Sequence, residues 1–306
     1  MKTRSTFSAL LVVLSLAGCA QEDRERTDED YQRLLQSHPS LFKAPVPLGT
    51  AFNKEVSFLK KTGQISKGQF NKISTAIDKS TVRFDVPPAI LWCLLYQESR
   101  FDVFRNATEP NLARGIGQFL QRALDELNED PDLFAKGTKD RLNEVIKPEP
   151  FPIAFSIYPE SALRSIQLGK TTKIPMQSKN SYYRIETGIA ASAAYLNNRY
   201  RQLASALRKN KIGYHPDLLW LYAVAAYNKG TRAVFAVLNG ERTVKGIDGL
   251  EDLLTNPTNT YSLLTDTKLL DYRLRPIWGI NKRRRYAQEM SKNFEMIYSC
   301  AFGEEK

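Results

Sequence analysis

The sequence predicts a mostly α-helical fold interrupted by one long irregular insertion. Apolar residues recur at three- and four-residue spacing over about 51–61, 67–80, 87–99, 118–128, 182–209, 216–228, 231–239 and 282–299. Strand-like alternation is scarce. Between the fourth and fifth of these segments, Pro148, Pro150, Pro152 and Pro159 forbid a regular helix. With 42% hydrophobic and 25% charged residues, the chain has the composition of an ordinary globular protein that buries a core.

The N-terminus reads as an address. Lys2 and Arg4 precede an apolar run from Ala9 to Leu16, too short to persist as a membrane span. Leu16-Ala17-Gly18-Cys19 fits a bacterial lipobox, in which the cysteine is lipidated and becomes the first mature residue. The alternative is an ordinary leader with an incidental cysteine. Acyl chains on Cys19 would anchor the protein in a membrane. Ala20 follows rather than Asp, which favours the periplasmic face of the outer membrane. Residues 1–18 are thus expected to be leader. Residues 19–50, charged at first and then punctuated by Pro39, Pro45 and Pro47, have tether composition. Residues 51–306 are expected to form one domain, and no other stretch is long and apolar enough to cross a membrane.

The segment 87–99 is the centre of that domain. Pro87 and Pro88 suit a helix start, and Ile90, Leu91, Leu94 and Leu95 mark an apolar face. Glu98 continues the same stripe. A carboxyl there is desolvated and keeps its proton near neutral pH, as a general acid must. The alternative is a core glutamate held by a buried arginine or by backbone donors. A loop-like stretch with Asn106 and Pro110 follows, then Ala113-Arg114-Gly115-Ile116-Gly117-Gln118-Phe119.

The insertion, about 129–181, interleaves its prolines with Phe151, Phe155 and Tyr158. Loops of this length often serve function, so it either walls a cleft or packs outside the domain. After the 182–209 helix, His215 sits at a helix start ahead of Pro216. That helix ends in Ala226-Tyr227-Asn228-Lys229-Gly230, where the glycine suits a C-cap.

The net charge is +11, or about +9 once Lys2 and Arg4 leave with the leader. Strong basicity suits nucleic acid, anionic lipid or an anionic polymer, and the export signal argues against nucleic acid. Lys282-Arg283-Arg284-Arg285 is either a polymer-binding footprint or a solvated helix end. Cys93 and Cys300 can pair only if their helices meet; otherwise both are buried thiols. His38 and His215, the two histidines, have no ligand cluster around them, so neither a metal nor a cofactor is expected.

Taken together, Glu98-Ser99, Gly115-Ile116-Gly117-Gln118 and Ala226-Tyr227-Asn228-Lys229-Gly230 resemble the lytic transglycosylases with a soluble-transglycosylase domain, relatives of goose-type lysozyme. Ile189 with Tyr195-Leu196, and the late Tyr286, are similar to further family elements in the same order, from about residue 84 to 290. The resemblance implies a lysozyme-like helical domain that cleaves the MurNAc–GlcNAc bond of peptidoglycan. It implies Glu98 as general acid and base. Tyr227, Asn228, Gln118 and Tyr286 would contact substrate, Ser99 would buttress the acid, and Gly115 and Gly117 would let backbone approach the sugar. The basic surface would meet the carboxylates of the wall's peptide stems.

The family acts without a second carboxylate. The N-acetyl group of the substrate assists at C1, and the sugar's C6 hydroxyl closes a 1,6-anhydro ring. This chain departs from the pattern at Glu109, Leu112-Ala113, Gly117 and Lys229. Glu109 is either a surface residue before Pro110 or a second cleft carboxylate, which orients water in a muramidase or meets the ammonium of a de-N-acetylated sugar. A non-catalytic wall-binding scaffold is the remaining expectation, against which the joint presence of Glu98, Gln118, Tyr227 and Asn228 argues.

Overall fold

The computed structural model describes residues 65–106, 112–129, 183–239, 250–255 and 257–302. The expected leader, the tether, Cys19, the helix at 51–61, Glu109 and all but the first residue of the insertion lie outside the described residues. Among the described residues the fold is all-helical, and the only pairing of extended backbone is a bridge between Arg114 and Phe119. No helix among them is long and apolar enough to cross a membrane.

Helix α1 (Lys67–Phe84) is capped by the Ser66 hydroxyl, which accepts from the Gln69 N–H, and ends on Asp85 in the left-handed conformation. Two residues later the prolines start α2 (Pro88–Ser99). The expected single apolar face is an underestimate. Trp92, Cys93 and Tyr96 are buried along with Ile90, Leu91, Leu94 and Leu95, so α2 is apolar all round and runs through the core. Short α3 (Gln121–Glu129) follows the turn at 114–119.

Helix α4 (Ile185–Lys209) lies along α1 and α5 (Pro216–Lys229). Small buried residues such as Ala190, Ala193 and Ala194 let α4 pack closely. His215 caps α5, its ring nitrogen accepting from the Asp217 N–H, with Pro216 at the first helical position. Gly230 breaks the chain sharply before α6 (Thr231–Leu238).

Three short helices were not expected: α7 (Leu250–Thr255), α8 (Pro257–Thr265) and α9 (Thr267–Arg273). Each is too short to display a helical period, and their start signals, Pro257 and the capping Asp266, also suit loops. Helix α10 (Ile280–Phe302) is longer than expected at both ends and packs against α2 and α5. A disulfide between Cys93 and Cys300 fastens it to the middle of α2 and closes the open question about those thiols.

Candidate active site

The segment after α2 is held in unusual backbone. Of the six non-glycine residues with positive φ among the described residues, Arg100, Phe101, Asn106 and Gln118 lie between α2 and α3. Such conformations cost energy and gather at functional sites. Packing sustains them here: Phe101 is fully buried, edge-on to Trp92 at 5.2 Å. Arg100 reaches back over the Tyr96 ring and donates to its hydroxyl.

The Gly115–Gln118 turn is a closed hairpin tip. Arg114 and Phe119 exchange both backbone bonds at 2.9 Å, and the Gln118 N–H donates to the Gly115 carbonyl at 3.1 Å. Gly115 takes φ 73, where a side chain would be strained. Ile116 and Phe119 are buried and pin the tip to the core. Gln118 has a structural role that the sequence did not reveal. Its amide donates to the Gly115 carbonyl at 2.8 Å, and its carbonyl accepts from Asn106 at 3.0 Å. Asn106 also donates to the Ala113 carbonyl at 2.8 Å. Gln118 thus braces the turn.

Helix α5 delivers the next residues. The Tyr227 hydroxyl donates to the Gly117 carbonyl at 2.7 Å, and its ring meets Phe119 and Tyr195 at 5.6 and 5.2 Å. The carbonyls of Gly115 and Gly117 therefore serve the turn and α5 rather than facing outward. Ser99 is also buried, its hydroxyl donating to the Leu95 carbonyl at 3.2 Å.

Glu98 sits half-buried on the last turn of α2, with its Oε1 sealed from solvent and without a hydrogen-bond partner. Burial pushes its pKa up to about 7, while a hydrogen bond from Asn228 and the charge of Lys229 pull the other way. Its neighbours are thus a neutral amide and a lysine, not the buried arginine of the structural alternative. A buried acceptor left unpaired calls for an explanation, and a carboxyl that keeps an exchangeable proton supplies one.

Lys229 links this acid to Tyr286. Its ammonium pairs with Glu289 and stands 4.5 Å from the centre of the Tyr286 ring, which packs edge-on against Trp278 at 4.5 Å. Beside Asn228 and Lys229 a cavity of about 10 Å³, roughly one water, opens between α5 and α10 against Val224 and Met290. The structure therefore brings together Glu98, Asn228, Lys229 and Tyr286, and joins Gly117 to them through Tyr227. Sequence reasoning missed Asn106, Trp278 and Glu289 as parts of this region. Asn106 was visible only as a loop residue, and nothing local marks Trp278 or Glu289.

Among the described residues no group of three or more His, Cys, Asp or Glu side chains stands ready to hold a metal. Among the described residues the arrangement is an all-α scaffold presenting a carboxylic acid of near-neutral pKa beside a neutral amide, a lysine paired with Glu289, and an aromatic ring. No protein-family model, curated protein or solved structure matches the chain.

Proposed function

We propose that this protein is a lipid-anchored enzyme of lysozyme-like fold that cleaves the MurNAc–GlcNAc β-1,4 bond of peptidoglycan as a lytic transglycosylase. The observation that supports this most directly is Glu98: a desolvated carboxyl with a pKa of about 7, hydrogen-bonded by Asn228. The neighbouring Tyr227 fastens the hairpin turn. A proton donor to a glycosidic oxygen has to hold its proton at the working pH, and burial of this carboxyl meets that need.

In the proposed reaction Glu98 protonates the leaving glycosidic oxygen as the bond to C1 breaks. The substrate's acetamido oxygen meets the developing positive charge at C1. The C6 hydroxyl then attacks C1, Glu98 takes its proton, and the acid is restored. One residue gives a proton to the leaving sugar and takes another from the C6 hydroxyl, so the step needs no second carboxylate. Asn228 steadies the ionised Glu98 between the two steps. Tyr286 offers a half-buried ring face beside Lys229 for sugar contact.

The Cys93–Cys300 disulfide supports export, since such bonds persist in oxidising compartments. A muramidase would use the same acid with water as the attacking group, and Glu109 is the residue that would orient it. Digestion of purified sacculi, read by mass spectrometry, separates these outcomes. Anhydro ends, lighter by one water, mark a transglycosylase; reducing ends mark a hydrolase; binding without cleavage marks a scaffold.

A further inference from the structure

The corner between α9 and α10 gathers positive charge that folding does not ask for. Residues 267–288 carry seven lysines and arginines against one carboxylate, Asp271. That carboxylate accepts from Arg283 at 2.9 Å, and neither side chain is more than 21% exposed. Arg273 is buried and donates to the Val237 carbonyl. Arg275, Lys282, Arg284 and Arg285 remain at the surface. Among the described residues, only Arg285 of these four meets a carboxylate, Glu289 at 3.5 Å, which Lys229 already holds. Three of the four stand in the first two turns of α10, where the helix dipole disfavours cations and the first turn holds no acid. Apolar groups share the corner. Ile280 is 49% exposed, and Pro276 and Gly279 are exposed near it in sequence. Trp278 is half-buried, propped edge-on against Tyr286 at 4.5 Å, with the Lys282 ammonium 5.6 Å from its ring centre. The Ile277 and Trp278 N–H groups donate to the Leu274 carbonyl at 3.1 and 3.2 Å, and Leu274 is fully buried, so a fixed turn presents these groups.

We propose that this corner is a membrane-contact surface, seated on the phosphate headgroups of an anionic lipid leaflet. Arg275, Lys282 and Arg284 meet the phosphates, Trp278 lies at headgroup level and Ile280 enters the acyl boundary. The charge is complementary to such a leaflet, since the exposed cations have almost no carboxylate of their own. A purely ionic footprint for a soluble polymer has no use for an exposed isoleucine among its cations, and a lipid interface does. Cations and an apolar tip together supply the two terms that peripheral membrane binding sums. The contact is separate from any acyl anchor at Cys19 and stands whether or not the chain cuts glycan.

Trp278 itself reports the contact, because Trp92 and Trp220, the other two tryptophans, are buried. The full chain carrying Cys19→Ser is mixed with vesicles of phosphatidylglycerol and phosphatidylcholine whose acyl chains bear bromine, which quenches tryptophan on close approach. Quenching is expected on these vesicles, absent on phosphatidylcholine alone, and lost as salt is raised. Trp278→Phe should remove it. Lys282→Gln combined with Arg284→Gln is expected to raise the lipid concentration for half-quenching by about 25-fold, about fivefold for each cation. Ile280→Ser should raise it as well while leaving the salt dependence in place. All three positions are exposed. Should the double variant fail to fold by circular dichroism, Arg275→Gln and Arg284→Gln singly carry the test. Equal quenching on phosphatidylcholine, no quenching, or variants that match the wild type would overturn the proposal. So would retention on purified sacculi that these variants lose while vesicles leave Trp278 unquenched, which would assign the corner to the wall polymer.

Discussion

The Tyr227 hydroxyl donates to the Gly117 carbonyl at 2.7 Å across 110 positions of sequence. That bond fixes the end of α5 against the hairpin turn, and Asn228, the next residue, is thereby held at Glu98. Tyr227→Phe leaves the Gly117 carbonyl without this partner and is expected to cost about 1–3 kcal/mol of stability. If the protein cleaves glycan as proposed, cleavage should fall further than stability does, because Asn228 loses its support. Urea unfolding and turnover, compared where both proteins are fully folded, check the two parts separately.

Glu98 should make the protein less stable as pH rises. Its pKa is about 7 in the fold against 4.5 when unperturbed, so the folded state holds the proton more tightly than the unfolded chain. Stability from this group is complete below pH 4.5 and is lost between 4.5 and about 7. The loss is on the order of 3 kcal/mol. Glu98→Gln is therefore expected to be more stable than wild type at pH 8, with the difference shrinking towards pH 5. Denaturant melts across that range decide it. A constant difference would remove the desolvated acid from the account.

Gly230 turns the chain between α5 and α6 at φ 82 and ψ 153, a conformation that side-chain-bearing residues rarely adopt. A methyl group there would meet nothing within 4 Å, so space is not the constraint. Gly230→Ala is expected to destabilise by about 1–3 kcal/mol through backbone strain alone. Thermal melts of the alanine and serine variants should agree, because both carry the same Cβ.

The Cys93–Cys300 bridge closes 207 residues of chain. Loop-closure entropy for a span of this length is worth up to about 5 kcal/mol. Reduction should lower the melting temperature, and α10 should loosen first, carrying Tyr286 and Glu289 away from Lys229. Hydrogen exchange with and without reductant reads that order.

Much of this architecture is legible from local signals. Pro87-Pro88 and His215-Pro216 mark the starts of α2 and α5 to within a residue, because capping and proline geometry are local. The helices over 250–273 were not legible, since six to nine residues do not make a visible period. At the site, Glu98 could be picked out because a carboxyl interrupts an apolar run. The bracing bonds of Gln118 were not legible, because residue type does not reveal its partner: Asn106, twelve positions away, donates to its carbonyl. Lys229 and Glu289 are 60 positions apart, and only the packing of α5 against α10 makes them a pair.

The most direct test of the central claim is digestion of sacculi by the wild type beside Glu98→Gln, with the variant first shown to be folded by circular dichroism. The account predicts anhydro-ended muropeptides from the wild type. For the variant it predicts a rate lower by about 10²–10⁴-fold, the usual contribution of a general acid. Release of the same products at the wild-type rate by Glu98→Gln would contradict it.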